Sequence, residues 1–171
     1  MRKIYLFITL LLASSNLFAN NITLLNPCTN NEIAIDDALS NKSILLNKKL
    51  SLGNTTLFHI SYLEQDGSIC LEKRDDLFFK SGNTYTYSQK LFNGVYEVYT
   101  STSLSEQMFA IELEYGNGET NIEKYFLKPS GNNIYLVKKE IIHSRSGSPK
   151  TIKFKGKDIE HVSLSNLINK Y

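Results

Sequence analysis

The pattern of apolar and polar residues changes its period near residue 43. Before this point apolar side chains recur at helical spacing, and they follow Thr29 and Glu32, which are separated as in a capping box. This segment predicts a short helix over about 30–40. After residue 43 apolar and polar positions alternate and turn residues arrive regularly, which is typical of antiparallel strands joined by hairpins.

Dipeptides suited to tight turns divide the alternating region into hairpins. A later run over 134–142 is long and apolar enough to be a central strand. The predicted hairpins pair 56–64 with 68–74 through Asp66-Gly67, 85–92 with 95–100 through Asn93-Gly94, and 108–115 with 122–127 through 116–118.

The end of the chain returns to helical spacing. Apolar residues at i, i+3, i+4 and i+7 predict an amphipathic helix that packs on a core, and they are Leu164, Leu167, Ile168 and Tyr171. The predicted fold class is therefore α+β, with an antiparallel meander sheet of about seven strands and short N-terminal and C-terminal helices. A half-closed barrel is the alternative arrangement of the same strands.

Residues 1–19 have the layout of a secretory signal peptide, because Arg2 and Lys3 precede an apolar run over 4–12. We therefore expect an exported protein, periplasmic or extracellular, whose mature part is a single disulfide-stapled, β-rich domain over 20–171. No later apolar run approaches the roughly 20 residues that a membrane helix needs, so no transmembrane segment is predicted after signal removal. The short signal and the Asn- and Lys-rich composition indicate a bacterial protein.

Cys28 and Cys70 are the only cysteines of the chain. An even pair of cysteines in an exported chain predicts a disulfide. Closing a loop of about 43 residues stabilises the folded state by roughly 4 kcal/mol in the chain-entropy model. We expect this bridge to tie the N-terminal segment to the sheet.

Charge is balanced in the mature chain but unevenly distributed along it. Of the 19 basic residues, Arg2 and Lys3 leave with the signal, so 17 bases remain with 17 acids. A neutral chain argues against general attraction to nucleic acid or to membrane surfaces. The acids are concentrated over 106–123 and the bases over 138–157. Either these two regions neutralise each other or the basic region binds an anionic partner.

The basic region supplies the candidate partner-binding residues. Strict alternation places Lys153, Lys155 and Lys157 on one face of a strand. The predicted partner is another protein with an acidic surface or an anionic component of the cell envelope. The candidate residues are Arg145, Lys150, Lys153, Lys155 and Lys157.

No catalytic, metal-binding or cofactor-binding signature is recognisable, and we expect none of these sites. His59, His143 and His161 are scattered and have no second ligand at metal-binding spacing. The serines of 146–148 lack the Gly-x-Ser-x-Gly pattern of a nucleophile elbow. His59 is predicted to be a half-buried sheet histidine, and the many strand tyrosines to pack the sheet or to form an exposed binding face.

These features favour a non-enzymatic exported binding protein, for example an inhibitor or an immunity-type protector that acts through protein–protein contact. Two other classes stay open. A curved sheet could enclose a small hydrophobic ligand, as in a carrier, and dispersed residues could converge into the active site of an envelope hydrolase. An apolar cavity would favour the carrier, whereas a cleft that gathers histidine and carboxylates would favour the hydrolase.

Overall fold

The computed structural model of the chain is nearly all β. It describes residues 22–38, 40, 44–70, 75–93, 95, 99–116, 121–143 and 147–168, and eleven strands lie within these ranges. The strands are β1 (Thr23–Leu25), β2 (Glu32–Ala34), β3 (Ile44–Leu52), β4 (Thr55–Tyr62), β5 (Asp76–Ser81), β6 (Thr84–Tyr87), β7 (Tyr99–Ser105), β8 (Met108–Tyr115), β9 (Asn121–Ser130), β10 (Asn133–His143) and β11 (Lys150–Asp158).

These strands form three antiparallel sheets. The largest has five strands in the order β11-β10-β9-β8-β7, and the second has four in the order β3-β4-β5-β6. The strands β1 and β2 form a small hairpin of their own. Strands that follow each other within a sheet are also neighbours in space, which fits the regular turn signals of the sequence. The prediction of one meander sheet of about seven strands, or of a half-closed barrel, is therefore wrong, because the described strands form separate sheets.

The two large sheets pack on each other through a shared apolar core. The four-stranded sheet contributes Leu57, Leu77 and Phe79. The ring of Phe79 meets that of Phe109 on β8 with centroids 5.6 Å apart. Phe109, Ile111 and Leu113 alternate along β8 and all face this core, as expected for sheets packed face to face. The five-stranded sheet adds the buried residues Ile111, Leu113, Tyr125, Leu127, Ile134 and Leu136.

The N-terminal segment covers the other face of the four-stranded sheet. Phe58, Ile60 and Tyr62 of β4 belong to a second apolar cluster, together with Leu24 and Ile35 from the N-terminal segment. Seven of the eight residues of β4 are buried, because this strand lies between two layers.

The predicted α+β class is wrong, because the N-terminal helix is reduced to one turn. Glu32–Ala34 pairs with Thr23–Leu25 as a strand, and only Ile35–Ala38 is helical (α1). Asn30 has a φ of 54°, and its N–H bonds to the Asn26 carbonyl in the turn between the two strands. A helix cannot begin at a residue in the left-handed region, and the next residues pair as a strand, so the turn and the strand pairing override the weak helical pattern.

The C-terminal segment also lacks the predicted α-helix, although its apolar residues pack as expected. Leu164–Asn166 is a single 3₁₀ turn, and Tyr171 lies outside the described residues. Leu164 is fully buried, and its N–H donates to the Leu91 carbonyl at 2.9 Å. Tertiary contacts, not successive helical hydrogen bonds, therefore hold this segment on the core.

The predicted hairpins have different outcomes. The third is confirmed, since β8 pairs with β9 along its length, and β10 is a central strand of the five-stranded sheet as predicted. The first is wrong over its described residues, because β4 pairs with β3 and β5, and near Asp66-Gly67 the described pairing is an isolated Leu63–Ile69 bridge; residues 71–74 lie outside the described residues. The second is wrong over its described residues, because Thr84–Tyr87 pairs with β5 and residues 89–93 form turns, while Gly94 and 96–98 lie outside the described residues.

Candidate binding surface

The strand β11 is an edge of the five-stranded sheet and carries most of the predicted binding residues. One side pairs with β10, and no described strand pairs with the other. Ile152 and Phe154 are half-buried, and Phe154 packs against the shared core, which anchors the strand. The exposed side chains include Lys150, Lys153, Lys155 and Lys157.

A bulge separates the lysines that alternation had placed together. Lys153 pairs with Lys138, whereas Lys157 pairs with Leu136, so three residues of β10 span five of β11. Gly156 lies within this bulge with a φ of 80°, which glycine adopts without strain. Cross-strand partners share a face, and Leu136 points into the core while Lys138 points away from it. The prediction that Lys153 and Lys157 share a face is therefore wrong.

A groove opens beside this bulge and has a volume of about 440 Å³. Tyr135 lies below the bulged backbone, since a Cβ atom on Gly156 would be 3.9 Å from Tyr135 Cδ1. Lys128 is the cross-strand partner of Tyr135 on β9. The side chains that line the groove are Lys128, Ser130, Tyr135, Val137, Phe154 and Lys155.

Basic residues close to the acid-rich strands are neutralised. Lys138 Nζ lies 2.7 Å from Glu106 Oε2 and 2.8 Å from Glu140 Oε1, and the hydrogen bond that Lys138 donates to Glu106 is the main reason that the pKa of Lys138 is raised. Lys124 Nζ lies 3.2 Å from Glu112 Oε2. In this part of the sheet the acidic and basic residues therefore neutralise each other, which is one of the two alternatives that the sequence left open.

The lysines of β11 differ from Lys138 and Lys124 in their ion pairing. Within the ranges that the structure describes, no carboxylate lies within 4.0 Å of the Lys150, Lys153, Lys155 or Lys157 ammonium group. Lys157 Nζ lies 5.3 Å from the centroid of the Phe154 ring, a cation–π distance. The edge strand thus exposes positive charge that the rest of the described chain leaves without a countercharge. Arg145, the fifth candidate, lies outside the described residues.

The predicted disulfide is confirmed. Cys28 and Cys70 are bridged, with their Cα atoms 6.1 Å apart. Cys70 is fully buried in the cluster between the four-stranded sheet and the N-terminal segment. The bridge therefore fixes the segment that covers this sheet face, as expected from the sequence.

A buried ionic cluster on the core side of β9 and β10 was not predicted. Lys139 Nζ lies 2.8 Å from Glu123 Oε2, and Tyr125 donates to the same oxygen at 2.5 Å. Tyr115 donates to Glu123 Oε1 at 3.0 Å, and Lys139 donates to the Leu167 carbonyl at 2.5 Å. Burial lowers the pKa of Lys139 and raises that of Tyr125. One sequence signal was available for this cluster. Glu123 lies two residues before Tyr125 on the same strand, and this spacing places both side chains on the core face.

A second buried carboxylate lies on the four-stranded sheet, on the face that the N-terminal segment covers. Asp76 Oδ2 accepts hydrogen bonds from Tyr62 at 2.9 Å and from Tyr87 at 2.6 Å. Burial, followed by the nearby Asp76 charge, raises the pKa of both phenols. These tyrosines pack the sheet, which is one of the two roles predicted for strand tyrosines. Their hydroxyls donate hydrogen bonds to the buried Asp76 carboxylate.

His59 is the one described histidine placed between a carboxylate and a hydroxyl. Its Nε2 lies 2.7 Å from Asp75 Oδ1, and its Nδ1 lies 3.4 Å from Thr102 Oγ1. A histidine between a carboxylate and a hydroxyl is the arrangement that activates a hydroxyl nucleophile in one class of hydrolases. However, His59 is 4% exposed and Thr102 is 6% exposed, so a substrate cannot reach the hydroxyl in this arrangement. The contacts of His59 with Asp75 and Thr102 instead link the four-stranded sheet to the five-stranded sheet.

Searches of protein-family models, of characterised proteins and of solved structures find no match to this chain. Within the described ranges, no three or more His, Cys, Asp and Glu side chains come together as metal ligands. The same part of the chain has no helix that is long and apolar enough to cross a bilayer.

Proposed function

We propose that the protein is an exported, non-enzymatic binding protein that recognises an acidic surface of another protein through the lysines of β11. Such a protein acts as an inhibitor or protector by covering its partner. The proposal rests mainly on one contrast. Lys138 on β10 holds two carboxylates, whereas the neighbouring lysines of β11 hold none among the described residues.

Uncompensated charge on one strand favours an interaction with a complementary surface. Lysines close together at a sheet edge add their potentials, and this field speeds and orients the approach of an acidic protein. The proposed partner is a protein because the open edge of β11 offers backbone groups to which an extended peptide can bond, and a groove lies beside that edge.

Export is supported by the N-terminal pattern of residues 1–19 and by the disulfide. The bridge between Cys28 and Cys70 is compatible with an oxidising compartment, where disulfides persist. The partner is then expected in the same compartment.

Edge lysines also have a simpler role, because they prevent a sheet edge from pairing with another sheet. The two roles can be separated by reversing the charges. Glutamates at the same positions keep the edge charged and protected from pairing, but they repel an acidic partner. Loss of binding without aggregation is therefore specific to partner recognition.

The test compares two charge-reversed variants of the mature protein. One carries Lys153→Glu, Lys155→Glu and Lys157→Glu. The control carries Lys48→Glu, Lys49→Glu and Lys90→Glu, which are also exposed and give the same change of net charge. Each protein is immobilised and exposed to an extract of the cell envelope, and the retained proteins are identified.

We expect wild type and the control to retain the same acidic protein and the β11 variant to lose it. Raising the salt concentration should weaken capture, because exposed charges are screened over about 8 Å at physiological ionic strength. Equal capture by all three proteins would contradict the proposal. Retention of an anionic polymer in place of a protein would also contradict it.

A further inference from the structure

We infer that the groove beside the β11 bulge binds a carboxylate side chain from an extended acidic segment of the partner protein. This inference rests on the proposed function, and it assigns the chemistry of recognition to Lys128, Ser130, Tyr135 and Lys155. Lys128 lies on β9, so the inferred site extends beyond the basic region of the sequence.

The groove offers hydrogen-bond donors without a carboxylate of its own. Neither Lys128 nor Lys155 has a carboxylate within 4.0 Å among the residues that the structure describes. Asp158, which pairs with Tyr135 across the strands, is engaged elsewhere, because its Oδ1 accepts from Glu160 N at 3.1 Å. Two ammonium groups near one acceptor form charge-assisted hydrogen bonds, which are the strong ones.

Tyr135 and Ser130 add neutral donors at the same place. The Tyr135 hydroxyl accepts from Asn133 Nδ2 at 3.2 Å, which leaves its own proton available for a ligand oxygen. Both residues line the groove, and Tyr135 also presents its ring. The four donors together suit a carboxylate, which accepts through both oxygens.

The remaining walls suit the part of the ligand that carries the carboxylate. Val137 and the half-buried Phe154 provide apolar surface for the methylene groups of an acidic side chain or for its neighbours in sequence. The groove is open to solvent, and its volume of about 440 Å³ exceeds what one small anion fills. The edge of β11 lies beside the groove, so an extended peptide can lie along the strand while one side chain enters.

A defined peptide tests this inference without the natural partner. The probe is a hexaglutamate peptide, and a hexaglutamine peptide is the neutral control. Binding is followed by the backbone amide NMR signals of the mature protein. We expect hexaglutamate to shift the signals of Ser130, Val137 and Gly156, and hexaglutamine to leave them unchanged.

Two matched double variants locate the site. Lys128→Gln with Lys155→Gln removes the charges of the groove, and Lys150→Gln with Lys153→Gln removes two other exposed lysines. We expect hexaglutamate to bind the groove variant at least about tenfold more weakly than the control variant, the size of one lost charge-assisted hydrogen bond.

Equal weakening in both variants, or shifts spread over the surface, would mean diffuse attraction and would overturn the groove inference. The proposed function has its own separate test in the capture experiment. If capture depends on β11 but hexaglutamate does not bind the groove, the proposed function is supported and the groove site is rejected. Capture that does not depend on β11 removes the proposed function, even where hexaglutamate fills the groove.

Discussion

Lys139 Nζ and Glu123 Oε2 lie 2.8 Å apart, and their side chains are only 2% and 1% exposed. Removing both charges from water is costly, and the cost is offset only where the remaining polar atoms are also bonded. Tyr115 and Tyr125 donate to the carboxylate, and Lys139 also donates to the Leu167 carbonyl. This cluster therefore joins β9, β10 and the C-terminal segment.

Removing the lysine of this pair should strongly destabilise the fold. Lys139→Met removes the ammonium group that lies 2.8 Å from the buried Glu123 carboxylate, and we expect a loss of about 3–5 kcal/mol in the free energy of unfolding. The matched control is Lys138→Met, which removes an ion pair with the surface acids Glu106 and Glu140 and should cost about 1 kcal/mol or less. Urea denaturation of both variants measures the difference, and equal effects would show that the buried pair has no special role.

Three buried tyrosines should resist ionisation. Burial, reinforced by Asp76 or Glu123, raises the pKa of Tyr62, Tyr87 and Tyr125 above the ordinary value of 10.0. The folded protein keeps these protons, whereas the unfolded chain releases them above pH 10. The stabilisation is therefore complete below pH 10 and is lost as the pH rises further, by roughly 1.4 kcal/mol per pH unit for each tyrosine.

Phenolate absorbance during an alkaline titration checks this expectation. The native protein should show fewer ionised tyrosines than the denatured protein until it unfolds, and circular dichroism should report unfolding together with the last ionisations. Full ionisation near pH 10 in a protein that stays folded is the opposite result.

The C-terminal segment should contribute to stability in spite of its short helical content. Leu164 is fully buried in the shared core, so Leu164→Ala should cost about 2–5 kcal/mol through lost burial and a residual cavity. The exposed neighbour Asn166 provides the control substitution, Asn166→Ala, which should change little. Thermal denaturation of the two variants measures this, and a neutral Leu164→Ala would mean that the segment is not docked in solution.

The disulfide should be complete and should stabilise the fold. Thiol titration of the unfolded, unreduced protein should detect no free thiol. Cys28→Ser together with Cys70→Ser should lower the free energy of unfolding by about 2–4 kcal/mol, because the bridge restricts the unfolded chain. Two titratable thiols per chain would contradict the bridge.

Sequence patterns predicted strands well where one face meets the core and the other meets solvent. Met108–Tyr115 alternates for this reason, and its pairing with β9 agrees with the turn residues that the sequence has between the two strands. The strand β4 is buried on both faces, so its sequence does not show which strands lie beside it. The turn signal at Asp66-Gly67 is real, but the tertiary structure gives β4 two other neighbours.

The basic strand could be recognised from the sequence, but the faces on which its lysines lie could not be predicted. Strict alternation put Lys153 and Lys157 on one face, whereas the bulge at Gly156 changes the face between them. A glycine in a strand indicates a possible bulge without fixing the residues that it displaces. The pairing of Glu123 with Lys139 depends likewise on the exact register of β9 against β10, which local patterns do not encode.

The most direct test of the central proposal is a lysine-reactivity footprint of the complex with the captured partner. An amine-specific reagent labels free and bound protein, and mass spectrometry gives the labelling of each lysine. We predict that Lys150, Lys153, Lys155 and Lys157 lose reactivity on binding, while the exposed Lys48, Lys49 and Lys90 keep theirs. Unchanged labelling of the β11 lysines in a fully formed complex would contradict recognition through this strand.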